Sequence, residues 1–243
     1  VPLITALNSL IARLKSSLTR SEDFIVEAAH RVRTPLATVR TQAEVIHRGL
    51  EKSKNKTALR EMIRAIDESS RSAGQLLDHA MVNFRADQLQ TEALDLRKLT
   101  AETVERLSPT AELKDISIIM QDQGGDFDFD GDPIMLQNAL RNILDNAIKY
   151  SFFESDITVA LGRDAHNYII SFADQGRGFA GANLSDHLQR FKRGTNVKDI
   201  VGSGLGLTIV DEVARAHGGR VKINNNTDTK GGGACVSLYF PLV

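Results

Sequence analysis

Asn142, Asn146 and Lys149 recur at steps of four and three, which places them on one stripe of a helix. An asparagine amide oxygen can take a position on Mg²⁺ without adding negative charge beside a triphosphate. A lysine one turn further along can neutralise a phosphate, and Tyr150, next in sequence, can flank a base. Taken alone, the stripe reads equally as the solvated edge of an amphipathic helix.

Downstream, Asp174-Gln-Gly176-Arg-Gly178 follows the apolar run Tyr168-Ile-Ile-Ser-Phe-Ala. A carboxylate at a strand end can accept the exocyclic amine of adenine, and glycines let the backbone approach the ring. A lone Asp-x-Gly-x-Gly is more often an ordinary turn. Gly202-Ser-Gly204-Leu205-Gly206-Leu207 then runs into an apolar helix containing Ile209, Val210 and Val213. Backbone N–H groups at a glycine-rich helix entrance suit phosphate, because the helix dipole and unpaired donors face the anion. The Gly-x-Gly-x-Gly spacing differs from the dinucleotide fingerprint, and the chain lacks a Gly-x₄-Gly-Lys-Ser/Thr sequence.

His30 lies on a different kind of segment. Ile25, Ala29, Val32, Leu36, Val39, Ala43 and Ile46 alternate steps of four and three, a coiled-coil-like seam. His30 falls just outside that seam, and Thr34 lies one turn on along the same outer face. The imidazole is therefore expected to be accessible to an incoming phosphate. Pro35 lacks an N–H and is expected to bend the helix there.

The elements that position these groups follow from periodicity and caps. Leu3, Leu7, Leu10 and Leu14 form a separate helical run, joined to the seam at a break near Leu18. After a polar break at 49–55, Leu59, Met62 or Ile63, Ile66, Ser69 or Ser70, Ala73, Leu76 or Leu77, Ala80 and Phe84 mark a second helix, antiparallel to the first and ending between Ala86 and Thr91. Such a hairpin has an apolar face it cannot fully cover, so a homodimeric four-helix bundle is expected. Beyond Ala93 the spacing predicts helix over 96–113, strands over 116–121 and 127–129, and a helix from Pro133 to Tyr150. Strands over 156–161 and 168–173, a loop-rich 176–201, a helix over 205–216, and strands over 220–225 and 235–240 complete the chain. Helices mixed with strands imply an α+β or α/β sandwich with helices on one face of a sheet.

In this order the motifs resemble the catalytic core of a two-component sensor histidine kinase, along nearly the whole chain. Phe24-Ile25 to Leu36 resembles that family's phosphoacceptor box around His30, and Asn142 to Tyr150 its asparagine box, in which Asn146 would bind the metal. Arg190-Phe191-Lys192-Arg193-Gly194 resembles its phenylalanine box, in a segment that would cover the nucleotide, with Arg190 or Arg193 reaching phosphate. The resemblance implies ATP and Mg²⁺ as ligands, autophosphorylation of His30, and transfer to an aspartate on the receiver domain of a response regulator. It also implies that Thr34 serves a regulator-phosphatase activity. The expected domains are a linker at 1–20 like the end of a HAMP segment, a dimerisation and phosphotransfer domain at 21–92, and an ATP-binding domain at 93–243 of the type shared with DNA gyrase, the large heat-shock chaperone and MutL. An upstream sensor and transmembrane region is expected to lie outside this chain, with the whole protein anchored in the bacterial inner membrane and this portion in the cytoplasm.

Arg31 departs from that pattern, standing where the family most often carries an acidic or other polar residue. A cation there cannot act as a base at neutral pH. Two other readings therefore stay open: a pseudokinase or phosphatase-biased scaffold that binds regulators, and an ATPase of the same fold acting as a clamp. Gln175, Arg177 and Ala180 also differ from the commoner residues around the first glycine box, without removing a proposed ligand.

Composition agrees with these expectations. The 243 residues carry 30 basic and 31 acidic side chains, so no electrostatic footprint for nucleic acid is present. The single cysteine, Cys235, cannot form an internal disulfide, which suits a reducing compartment. No apolar run approaches the roughly 20 residues that span a bilayer.

Overall fold

A computed structural model describes residues 34, 36–47, 53–86, 88–181, 184–188, 204–226 and 232–242. His30, Arg31 and Pro35 lie outside the described residues, as do the proposed linker, Arg190, Phe191, Arg193 and Gly202. The chain divides into two compact units, Val1–Phe84 and Arg85–Val243.

The first unit contains helix α1, described at residues 36–47, and most of α2, Ser53–Ala86. Arg60 Nε donates to His47 Nε2 at 3.1 Å, and Arg40 Nη1 pairs with Asp67 at 3.2 Å. As one helix advances the other retreats by the same number of residues, which is antiparallel packing, as the two apolar periodicities predict. Helix α2 begins at Ser53, inside the stretch read as a polar break. Within the expected seam Ala43 is buried, whereas Val39 and Ile46 are 46% and 56% exposed. On α2, Met62 and Leu76 are also more than half exposed. The hairpin thus covers only part of its apolar surface.

In the second unit, β1 (Glu92–Asp95) pairs antiparallel with β3 (Asp128–Gly131). The hydrophobic pattern does not announce β1, whose four residues lack alternation. Its last residue, Asp95, caps helix α3 (Leu96–Glu112) by accepting from the N–H groups of Arg97 and Lys98. The five-stranded sheet has the order β2 (Ser117–Asp122), β4 (Asp156–Arg163), β5 (Asn167–Ala173), β7 (Ala234–Pro241) and β6 (Arg220–Asn225). Only the β2–β4 pair is parallel.

Helix α4 spans Pro133–Tyr150 and α5 spans Gly206–Ala216. The predicted α4 stripe, Leu136, Leu140, Ile143 and Ala147, is buried throughout, as are Ile209, Val210 and Val213 of α5. Alternate strand residues Ile157, Val159, Leu161, Ile170, Phe172, Leu238 and Phe240 are buried too. Period-two burial on the strands and a helical apolar stripe together define a sandwich core. Among its described residues, the segment read as loop contains a short 3-10 helix, Leu184–Leu188.

At the edge of this core Asp132 is fully buried and accepts from the N–H groups of Ile134 and Met135, capping α4. Its second carboxylate oxygen pairs with Arg85 Nη1 at 2.8 Å. Its own N–H donates to His217 Nε2 at the end of α5.

Candidate functional site

Both glycine motifs meet α4. Asn142 is buried and donates through Nδ2 to the Asn138 carbonyl at 2.8 Å, which sets the orientation of its amide. A Cβ built on Gly206, at the start of α5, would lie 3.1 Å from Asn146 Nδ2 and 3.4 Å from Asn142 Oδ1. The entrance of α5 therefore lies directly against the two asparagine side chains, and any side chain larger than glycine's would make the Asn146 amide shift. Leu205 is buried at the cap position, and no side chain caps the helix there among the described residues. The first N–H groups of a helix have no partner within it, and at this end they lie beside the two amides, an arrangement that suits an anion. Gly204 precedes with φ +74°, and Leu207 is half-buried on the first turn.

One to two turns along α4, Lys149 Nζ lies 4.9 Å from the centre of the Tyr150 ring, both residues being half-buried. Gly176 packs against the Tyr150 carbonyl so closely that a Cβ would collide with it, and Ser151 and Gly176 form an antiparallel bridge. The asparagine helix and the Asp174 turn are joined at that point.

Asp174 is 5% exposed. Its Oδ1 accepts two N–H donors, from Gly176 and Ala234, each at 2.9 Å. Burial pushes the carboxyl above its ordinary 3.8, while the two donors pull the other way. With both of these bonds on Oδ1, the second oxygen keeps its acceptor capacity, as adenine recognition requires. Gly178, with φ +64°, sits against the Asn225 side chain.

Three residues of this region escape sequence reasoning. Asn225 Oδ1 accepts from Phe179 N at 2.6 Å and its Nδ2 donates to the Phe179 carbonyl at 2.9 Å, so one amide side chain clamps the peptide behind Gly178. Gly233 packs its backbone on Asp174 so tightly that a Cβ would overlap the Asp174 carbonyl. Lys114 contacts the end of α4. These partners lie far apart in sequence, and their residue types alone carry no signal. Gln175 accepts from the Asp156 N–H at 3.2 Å, the Ala180 carbonyl contacts His187 Nε2 at 2.8 Å, and Arg177 is exposed. In the first unit Thr34 is exposed and its carbonyl accepts from Thr38 Oγ1.

Comparison with known proteins agrees with this arrangement. The family described as Histidine kinase-, DNA gyrase B-, and HSP90-like ATPase matches residues 131–243, and the His Kinase A (phospho-acceptor) domain matches residues 20–82. Sensor protein QseC of Salmonella typhi is 32% identical over 225 residues, covering 92% of this chain and 49% of that protein. The chain thus spans about half of that relative's length. Sensor protein BasS of Escherichia coli (strain K12) is 28% identical over 237 residues, 97% of this chain and 63% of that protein. Among solved structures, the mycobacterial sensor histidine kinase MprB matches with a TM-score of 0.56 at 27% identity, over 63% of this chain and 97% of that one. Carrying a phosphoacceptor domain followed by an ATPase domain of this type, the chain belongs to the two-component sensor histidine kinases, as the catalytic core of one.

Proposed function

We propose that this core binds Mg·ATP against α4, the Asp174 turn and the α5 entrance, and transfers the γ-phosphoryl group to a ring nitrogen of His30. A nitrogen–phosphorus bond forms as the bond to the ADP oxygen breaks, and the imidazole releases its proton. The phosphoryl group then passes to an aspartate oxygen on the receiver domain of a response regulator. One observation carries this reading: two glycine motifs, separated by some 30 residues, both seat on the single helix that bears Asn142, Asn146, Lys149 and Tyr150. His30 and Thr34 fall within the segment matched by the phosphoacceptor domain.

Asp174 would accept the adenine amine, the α5 entrance and Lys149 would face phosphates, and Asn146 would hold Mg²⁺. Hard, neutral amide oxygens fit that ion when phosphate oxygens complete its shell. Bound there, Mg²⁺ supplies charge neutralisation on the phosphates. Arg190, Phe191, Arg193 and Gly202 join the site on their motif resemblance alone. The apolar surface left uncovered on the hairpin supports a homodimer, and a monomer by sedimentation at micromolar concentration would count against it. The greater length of the relatives supports a membrane-anchored whole protein, which fractionation of the full-length protein from cells would test.

Incubation with γ-labelled ATP is the deciding experiment. Label should enter the parent chain in an acid-labile form and be absent from His30→Gln, which should still bind nucleotide. Arg31 favours one second reading, a regulator-binding scaffold, and that reading predicts nucleotide binding with no label in either chain.

A further inference from the structure

The turn between α3 and β2 carries Lys114 to the far end of α4. Its Nζ donates to the carbonyls of Ile148 and Lys149, each at 2.9 Å, and to that of Ser151 at 3.4 Å. The last carbonyls of a helix have no partner within it, and they form the negative end of its dipole. A lysine here satisfies both conditions at once. The Phe153 ring lies 5.8 Å from the same ammonium, and Glu154 N donates to the Lys114 carbonyl, so the side chain and backbone of Lys114 are held together at this corner. Desolvation at this site lowers the Lys114 pKa from 10.5.

From the other side, the same turn of α4 is limited by Gly176 against the Tyr150 carbonyl and by the Ser151–Gly176 bridge. The last turn is therefore held between a cation and the adenine-side loop. This turn bears Lys149 and Tyr150, and Asn146 lies one turn before its end. A helix end free to fray would leave these three side chains in several orientations, and binding would then have to order them.

We infer that Lys114 is a positioning residue for nucleotide binding: its ammonium fixes the last turn of α4, and with it the aim of Asn146, Lys149 and Tyr150, without touching the nucleotide. The inference rests on the nucleotide site proposed above. It sets Lys114 apart from a purely structural cap. Loss of a structural cap lowers the fraction of folded molecules and leaves each folded molecule with its normal affinity, whereas loss of a positioning group weakens binding in every folded molecule.

The test is calorimetric titration of the full 243-residue chain with Mg²⁺ and the nonhydrolysable β,γ-imido analogue of ATP. Lys114→Met should raise Kd roughly five- to tenfold while stoichiometry stays about one per chain. Lys114→Arg should recover most of that loss, since it keeps a donating cation at the same carbonyls. In turnover the same split should appear as a raised KM for ATP with kcat nearly unchanged. Should Lys114→Met fail to fold, Lys114→Gln, which keeps an N–H donor but no charge, is compared with Lys114→Arg, and a weaker Kd in the glutamine variant alone supports the inference. Unchanged Kd in Lys114→Met beside a lowered melting temperature would overturn it, as would equal losses in the methionine and arginine variants. A parent chain that does not bind the analogue would instead remove the nucleotide site itself, and the inference with it.

Discussion

Arg85 and Asp132 form a buried ion pair at 2.8 Å, the arginine side chain 10% exposed and the carboxylate wholly enclosed. The same carboxylate caps α4, the helix that carries the asparagine motif. Removing one partner strands the other charge in the interior. Arg85→Met should therefore lower stability by about 3 to 5 kcal/mol, the range for breaking a buried pair. A urea midpoint shift that, multiplied by an unchanged slope, amounts to less than about 1 kcal/mol would show that the carboxylate finds other compensation.

His217 extends this pair into a pH dependence. Its Nε2 accepts the Asp132 N–H and its Nδ1 contacts the Val213 carbonyl at 2.8 Å, a geometry that suits the neutral ring protonated on Nδ1. Burial lowers its pKa from 6.5, against smaller upward contributions from the Val213 carbonyl and the Asp132 charge. A depressed folded pKa means that the stabilisation is complete above 6.5 and is lost as pH falls towards the folded value, because the unfolded state takes up the proton first. The stability difference between the parent and His217→Gln should be flat from pH 7 to 8 and shrink on acidification below about 6.5. Thermal melts across that range check it, and a difference independent of pH would refute the neutral assignment.

Gly206→Ala separates folding from binding. Alanine in place of glycine favours a helix by about 1 kcal/mol, and the new methyl group would sit 3.1 Å from Asn146 Nδ2. The half-buried Asn146 amide has to turn away. Melting temperature should hold or rise while affinity for Mg·ATP falls roughly tenfold. An unchanged affinity would show that Asn146 does not need its present orientation.

For Asp174 the trade runs the same way. Its raised pKa means that ionisation at neutral pH opposes folding: the favourable contribution is present below 3.8 and lost as pH rises through the folded pKa. Asp174→Asn keeps an Oδ1 for Gly176 and Ala234 but replaces the second acceptor with a donor. The variant should be at least as stable as the parent at pH 7, yet lose about 1 to 3 kcal/mol of adenine recognition. Competition between ATP and GTP reads that loss directly.

Arg31 gives a kinetic prediction. Replacing it with glutamate puts a general base beside His30, and Arg31→Glu should raise autophosphorylation by roughly 10²-fold if the site is otherwise aligned. A fast parent with a neutral or slower variant would mean that the proton leaves by another route.

Local order determined much of this protein. The 3.6-residue spacing of Leu136, Leu140, Ile143 and Ala147, with Pro133 in the first turn, delimits α4 without reference to anything distant, and the structure bounds it at Pro133–Tyr150. The amide stripe follows from the same period, since residues three and four apart share a face. The hairpin was legible for the same reason, two apolar periodicities separated by a polar break.

What only the tertiary structure decided involves partners that periodicity cannot connect. Asn225 clamps Phe179 across 46 residues and Lys114 reaches Ile148 across 34, each through side-chain-to-backbone bonds that impose no pattern on either segment. β1 is not legible in the sequence because four residues, Glu-Ala-Leu-Asp, are too few to show alternation; it exists because β3 lies alongside to take its hydrogen bonds. The packing of Gly206 on Asn142 and Asn146 likewise belongs to the folded chain. Sequence names a glycine before a helix, but only the approach of α5 to α4 shows which side chains that glycine must leave room for.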